Sequence, residues 1–351
     1  MYTEFYALTD LPFQLMPDPR FFYASSEHNR AMAHLTYGIH QGEGFIVITG
    51  DVGAGKTTLV DYLLTTLPPS EHVTAKVVTT QLGGDDMLRM VAAAFNLFEE
   101  HADKATLLRR IEEFVAGLRM QGKRALLVID EAQNLSFEAL EELRMLSNII
   151  VGGTIPMQAI LLGQPQFRKT LALPELDQLR QRITASYHLG PLSADETRSY
   201  IEHRLRLVGW KQDPDFTEAC FAEIFRFTDG IPRRINTLCS RLMLLGFLEE
   251  QHVIGDAMVR QVAKEMLGEL SAGGEKAPLR SRQDAPQPAP ASGPQPARAP
   301  EPQSALAEME QLSFSTLSQR IASLEQSVAS HDRAMRRALE IIAKYLERPD
   351  S

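Results

Sequence analysis

Phe45–Val60 reads FIVITGDVGAGKTTLV, and the order of residue types in it decides the fold. The apolar run Phe45–Thr49 predicts a buried parallel strand. Gly50-Asp51-Val52-Gly53-Ala54-Gly55-Lys56-Thr57 then fits G-x-x-x-x-G-K-[ST] without a mismatch. Thr58, Leu59, Val60, Leu63 and Leu64 open a helical pattern. Backbone N–H groups can close around a phosphate chain only where side chains do not intervene, so glycines stand at 50, 53 and 55. The helix that follows adds unpaired N–H groups and its positive dipole end. Lys56 reaches the outer phosphates, and the Thr57 hydroxyl is placed to hold Mg²⁺. The stretch is read as an ATP site, with residues 50–58 as the binding loop.

A second signal lies downstream. Ala125–Ile129 is another buried strand, and it ends in Asp130-Glu131, 80 positions after Gly50. An apolar strand tipped by two carboxylates is weak evidence alone, since such pairs also occur as plain solvated ends. At this distance from the phosphate loop it becomes a Walker B signature, with Asp130 as a Mg²⁺ ligand through water and Glu131 as the group that activates the attacking water. Met157–Leu162 predicts a further strand, ending in Gly163-Gln164-Pro165. Gln164 can donate and accept, which suits a γ-phosphate sensor or a plain strand-ending turn. Leu176–Ile183 carries Arg180 and Arg182, candidates for a finger reaching a neighbour's site, or simply solvated arginines.

Helical periodicity covers Ser26–Gln41, with Ser25 or Ser26 as cap, then Asp85–Leu97, Ala105–Gln121 and Ser136–Asn148. Ala75–Thr80 is a strand. From Ser193 the pattern is all helical, over 195–208, 216–227, 233–249 and 255–267, and reads as a small lid. Gly230-Ile231-Pro232-Arg233 lets Arg233 swing over the phosphates from a helix start. Residues 1–30 are aromatic and proline-punctuated, an extended lead-in whose Leu11, Pro12 and Phe13 either wall the adenine pocket or staple the core.

The chain has 351 residues, 44% of them hydrophobic, enough for two domains or more. A net charge of −9 argues against a protein that coats nucleic acid or an acidic membrane. Cys220 and Cys239 stand apart, which excludes a disulfide scaffold and structural zinc and fits two reduced thiols in the cytoplasm. No basic leader or long apolar run predicts a signal peptide or a membrane span.

With VIDEAQNLSFEALEELRMLSN, LLGQP, LRQRI and GIPRRIN following the phosphate loop in this order, the chain resembles the AAA+ ATPases. More narrowly it resembles the general secretion pathway protein A family, and within it the secretion ATPases encoded in PEP-CTERM/exosortase exopolysaccharide loci. The likeness covers about residues 1–267. It implies sensor 1 at Gln164, sensor 2 at Arg233, a finger among Arg180 and Arg182 (Arg182 favoured because it directly precedes an apolar residue), homo-oligomers built through the AAA+ interface, and work on envelope secretion or exopolysaccharide export. A DNA-associated regulator like the transposition helpers and replication initiators, and a nucleotide-gated scaffold with little turnover, are the alternatives.

The likeness stops at the tail. Secretion-pathway relatives continue into a membrane span and a peptidoglycan-binding domain, whereas 16 of the 35 residues from Ser271 to Ala305 are Pro or Ala. That composition predicts a disordered, semi-extended linker. Leu317, Ile321, Leu324, Val328, His331, Met335, Ala338, Ile342 and Tyr345 follow a 3.5-residue repeat, a coiled-coil seam for self-association or for an inner-membrane secretion or polysaccharide-export partner. The expected architecture is therefore an α/β P-loop NTPase core, a parallel sheet flanked by helices, over 1–190. An all-helical lid over 191–270, the linker over 271–305 and a coiled-coil helix over 306–351 complete it. The expected location is cytoplasmic, peripheral at the inner membrane.

Overall fold

The computed structural model describes residues 2–78, 84–97, 102–153, 155 and 157–272. The predicted coiled-coil helix, and the linker beyond Ala272, lie outside the described residues. Strands β1 (Phe45–Gly50), β2 (His72–Val78), β3 (Arg124–Asp130), β4 (Met157–Gly163) and β5 (Ile183–Leu189) form a parallel sheet in the order β2-β3-β4-β1-β5. β1 and β4 are buried along their whole length and β3 at all but its first residue, because helices cover both sheet faces. β5 alternates in burial, as an edge strand does, and was absent from the sequence-based expectation. Ile183, Ala185, Tyr187 and Leu189 carry its period of two.

The helices are α1 (Tyr2–Phe5), α2 (Ser26–Gln41), α3 (Lys56–Thr66), α4 (Gly84–Ala94), α5 (Lys104–Met120), α6 (Phe137–Leu146), α7 (Pro165–Leu171), α8 (Asp177–Arg180), α9 (Ala194–Leu207), α10 (Glu218–Thr228), α11 (Pro232–Leu248) and α12 (Asp256–Ala272). Their starts follow local chemistry. The Ser25, Ser136, Ser193 and Thr217 hydroxyls each accept an N–H of the first turn, and Ser193 with Glu196 completes a reciprocal capping box. α2 and α3 pack on one face of the sheet, with Leu35, Ile46, Leu59 and Val128 at the centre of that layer. α4, α5 and α6 pack on the other, around Leu88, Ile111, Leu127 and Leu140.

α9–α12 build a separate apolar cluster around Ile201, Leu238, Leu242 and Val259, which also takes in the free, buried Cys220 and Cys239. Two-residue strands β6 (Asp215–Phe216) and β7 (Val253–Ile254) pair across it. The N-terminal lead-in belongs to this cluster: Tyr2, Tyr6, Phe13 and Phe21 are buried in it. The Tyr6 hydroxyl donates to the Gln251 carbonyl at 2.9 Å, and the Thr9 amide to the Val208 carbonyl at 2.9 Å. Among the described residues no helix is long and apolar enough to cross a membrane.

Candidate nucleotide site

In a parallel sheet every carboxyl end lies on one edge. The phosphate loop after β1, Asp130-Glu131 after β3 and Gln164 after β4 therefore share that edge, with the β4 tip between the other two. The loop's geometry requires its glycines. Gly53 has φ +85° and a Cβ there would stand 2.3 Å from Arg233 Cβ; Gly55 has φ +98° and its Cβ would stand 2.8 Å from His28 Nε2.

Lys56 is buried and its Nζ donates to the Gly50 and Asp51 carbonyls at 2.8 and 3.0 Å. Burial pulls its pKa down, while Glu131, Asp130 and Asp51 act in the opposite direction. The Thr57 hydroxyl donates to Asp130 Oδ2 at 2.7 Å. These two oxygen donors side by side fit Mg²⁺, a hard cation that takes one or two protein ligands and completes its shell with water and substrate phosphates. Among the described residues no group of three or more His, Cys, Asp or Glu forms a metal site, so a metal held by side chains alone does not fit.

Glu131 has φ 55°, the left-handed region that non-glycine residues seldom adopt. Its carboxylate accepts from two amides, Gln133 Nε2 and Gln164 Nε2, the latter at 3.2 Å. Gln133 Oε1 accepts in turn from the Gln164 backbone N–H at 2.9 Å. Gln133 was missed in the sequence, although a polar residue two positions after the acidic pair is a readable hint.

A cavity of about 330 Å³ opens over the loop, and its lining includes Lys56, Thr57, Thr58, Glu131 and Arg233. Arg233 enters it from the first turn of α11, its backbone N–H donating to the Gly53 carbonyl at 3.1 Å. Gln14–Asp18 and Tyr200, Arg204 and Asn236 also wall it. The lead-in thus does form a wall, but with residues later than Leu11, Pro12 and Phe13. Phe13 is a core staple, because its ring is buried among the α9–α12 helices. Arg204 fastens that wall, donating to the Pro12 carbonyl at 2.6 Å and to the Tyr200 hydroxyl at 2.9 Å, which donates to Asn236 Oδ1 at 2.9 Å.

Arg180 and Arg182 are not on this cavity. Arg180 pairs with Asp177 and donates to the Leu171 carbonyl at 3.3 Å. Arg182 donates to the Ser147 carbonyl at 3.1 Å and immediately precedes β5, at the sheet edge opposite the phosphate loop.

A model of the AAA domain matches residues 39–171. The chain is 37% identical over 269 residues to general secretion pathway protein A of Aeromonas hydrophila, an alignment covering 76% of this chain and 49% of that protein. The chain belongs to the AAA+ ATPases. This AAA+ ATPase is of the general secretion pathway protein A kind, and it spans about half the length of that relative. Two solved structures share its fold. Cdc6p from Pyrobaculum aerophilum superposes with a TM-score of 0.56 at 14% identity, over 75% of this chain and 70% of that one. Aeropyrum pernix ORC1, solved in complex with DNA, gives 0.56 at 15%, over 76% and 72%.

His28, buried against Gly55 on the wall of the same cavity, carries no signal in the sequence. Burial pushes its pKa down to about 4 from 6.5, against the nearby Ala54 backbone and the charges of Glu196 and Glu27. A depressed imidazole pKa means the unfolded chain takes up a proton that the folded chain refuses. Its contribution is complete above pH 6.5 and is lost as pH falls toward 4. At pH 5.5 the loss should be about 1.4 kcal/mol. Urea midpoints at pH 7.5 and 5.5 should therefore differ less in His28→Gln than in the wild type; equal differences would refute this.

Proposed function

We propose that this AAA+ ATPase binds Mg·ATP in the cavity between the phosphate loop and the α9–α12 lid, and hydrolyses it to drive an envelope secretion system of the kind that exports exopolysaccharide. The observation that carries the reading is the convergence of Lys56, Thr57, Glu131 and Arg233 on one cavity, with Asp130 hydrogen-bonded to Thr57 beside it. The amides of residues 50–58 and the Lys56 ammonium bind the phosphates. Thr57 and Asp130 would hold Mg²⁺, which would supply neutralising positive charge to the phosphates. Glu131 takes the proton of the attacking water, Gln164 reports the γ-phosphate, and Arg233 ties phosphate occupancy to lid angle. Arg182, with Arg180 beside it, serves a neighbouring subunit's site in a homo-oligomer.

The secretion role is supported by the likeness to general secretion pathway protein A. The division into a core over 1–190 and a lid over 191–270 fits a cytoplasmic motor that is peripheral at the inner membrane, with residues 306–351 meeting the export partner. The initiator-type structures share the fold at 14–15% identity, which supports the fold alone.

Lys56→Ala should weaken Mg·ATP binding about 100-fold by calorimetry, since a charge-assisted contact to phosphate is removed. In a host lacking the gene, the variant should fail to restore exported polysaccharide. Unchanged ATP uptake would sink the site, and DNA-stimulated hydrolysis with a steep salt dependence would favour the regulator instead.

A further inference from the structure

Arg204, Tyr200 and Asn236 are each more than nine-tenths buried, and all three stand on the cavity wall. They form a chain of hydrogen bonds whose direction is forced. A guanidinium has donors and no acceptor, and it keeps its proton at any working pH. The Tyr200 hydroxyl therefore accepts from Arg204 Nη1, at 2.9 Å. Asn236 is the other partner of that hydroxyl among the described residues, at 2.9 Å. A buried hydroxyl hydrogen needs an acceptor, so the Asn236 atom facing it is Oδ1. Arg204 is itself held, its Nε donating to the Pro12 carbonyl at 2.6 Å and its guanidinium lying 4.5 Å from the centre of the Phe21 ring.

With Oδ1 turned to Tyr200, the amide nitrogen is left over. Nδ2 has no hydrogen-bond partner among the described residues, and unlike His72 Nδ1 and His203 Nε2 it is not sealed inside the protein. The space that Asn236 borders is the cavity, so this donor serves whatever occupies it. The phosphates have donors of their own in the loop amides and Lys56. Arg233, also on the cavity and one helical turn before Asn236, adds a charge. A nucleotide with its phosphates on the loop sets its nucleoside against the remaining lining, where the aromatic Phe22 and Tyr23 stand with Asn236. A neutral N–H donor suits a neutral acceptor, and a purine offers bare ring nitrogens.

We propose that Asn236 is a specificity-determining residue that donates from Nδ2 to a ring nitrogen of the bound purine. Tyr200 and Arg204 are the positioning residues that hold its amide the right way round. The inference rests on the nucleotide site proposed above and adds the group that reads the base. A buried donor set for an acceptor rejects a base that lacks one, because the N–H is then left unpaired.

The test is a calorimetric cycle on the full chain with Mg²⁺ and ATP, 1-deaza-ATP, 3-deaza-ATP or 7-deaza-ATP, each analogue having one ring nitrogen replaced by C–H. Wild type should bind at least one analogue about 10-fold more weakly than ATP, and Asn236→Ala should shrink that difference to within about twofold. Asn236→Asp keeps an acceptor for Tyr200 but replaces the donor with an oxygen. It should remove the same difference, and it serves if the alanine variant does not fold. Tyr200→Phe frees the amide to turn over and should leave a penalty of about threefold. The readout is a ratio between two ligands on one protein, which a general loosening of the fold does not imitate. A penalty that persists in the Asn236 variants, or no penalty for any of the three analogues in wild type, would overturn the assignment. So would an Asn236-dependent penalty on 2′-deoxy-ATP in their place, which puts the donor on the ribose. Wild-type protein that takes up no Mg·ATP would overturn the site itself, a separate result.

Discussion

Glu131→Gln should lose ATP turnover by about 10²–10⁴-fold, the usual contribution of a positioned general base, while its ATP affinity stays within about threefold of wild type. The amide copies the carboxylate's shape but cannot take the proton of the attacking water. The position is well defined by its neighbours. Glu131 leaves β3 with φ 55° and is held by Gln133 and Gln164, beside the Thr57–Asp130 pair. Since those contacts orient rather than bind substrate, the variant should accumulate the ATP-bound state, and size-exclusion chromatography should show any ATP-dependent oligomer persisting instead of decaying. Full turnover in single-turnover assays would remove Glu131 from the chemistry. Loss of ATP binding would mean that its role is structural.

Arg182→Ala should depress kcat by about 10³-fold, the lower end for an arginine supplied in trans to a phosphoryl transfer, with little change in ATP affinity. Geometry excludes a role in its own subunit's site. Arg182 precedes β5, whereas the phosphate loop follows β1, which pairs with β5 in parallel. A seven-residue strand separates the two edges by roughly 20 Å, and a side chain cannot bridge that within one subunit. Arg180→Ala should cost less than about threefold, because its ion pair with Asp177 is half exposed and such pairs contribute little. Mixing Arg182→Ala with Glu131→Gln should restore activity, since the second supplies an arginine to the first one's intact site. Mixtures no more active than either parent would rule out a finger at this position.

Both expectations rest on residues legible in the sequence to different degrees. The phosphate loop, the Asp130-Glu131 strand tip and the helix starts at Ser25, Ser136 and Ser193 are contiguous signals. Backbone conformation and capping act over a few residues, so these positions carry their own evidence. α2 spans Ser26–Gln41, the range its periodicity predicts. β5 leaves a weak trace in the sequence because its apolar residues alternate with polar ones at a sheet edge.

What the chain determined by itself is therefore a nucleotide-binding α/β fold, its loop and its acidic pair, because glycine freedom, strand burial and helix capping are local. Tertiary structure alone decided that Gln133 and Gln164 meet at Glu131, that Gln14–Asp18 and residues of the α9–α12 helices wall the cavity over the loop, and that His28 stands against Gly55. Each of these depends on strand order β2-β3-β4-β1-β5 and on which helix faces meet, and packing between segments far apart in sequence leaves no periodic trace in either one.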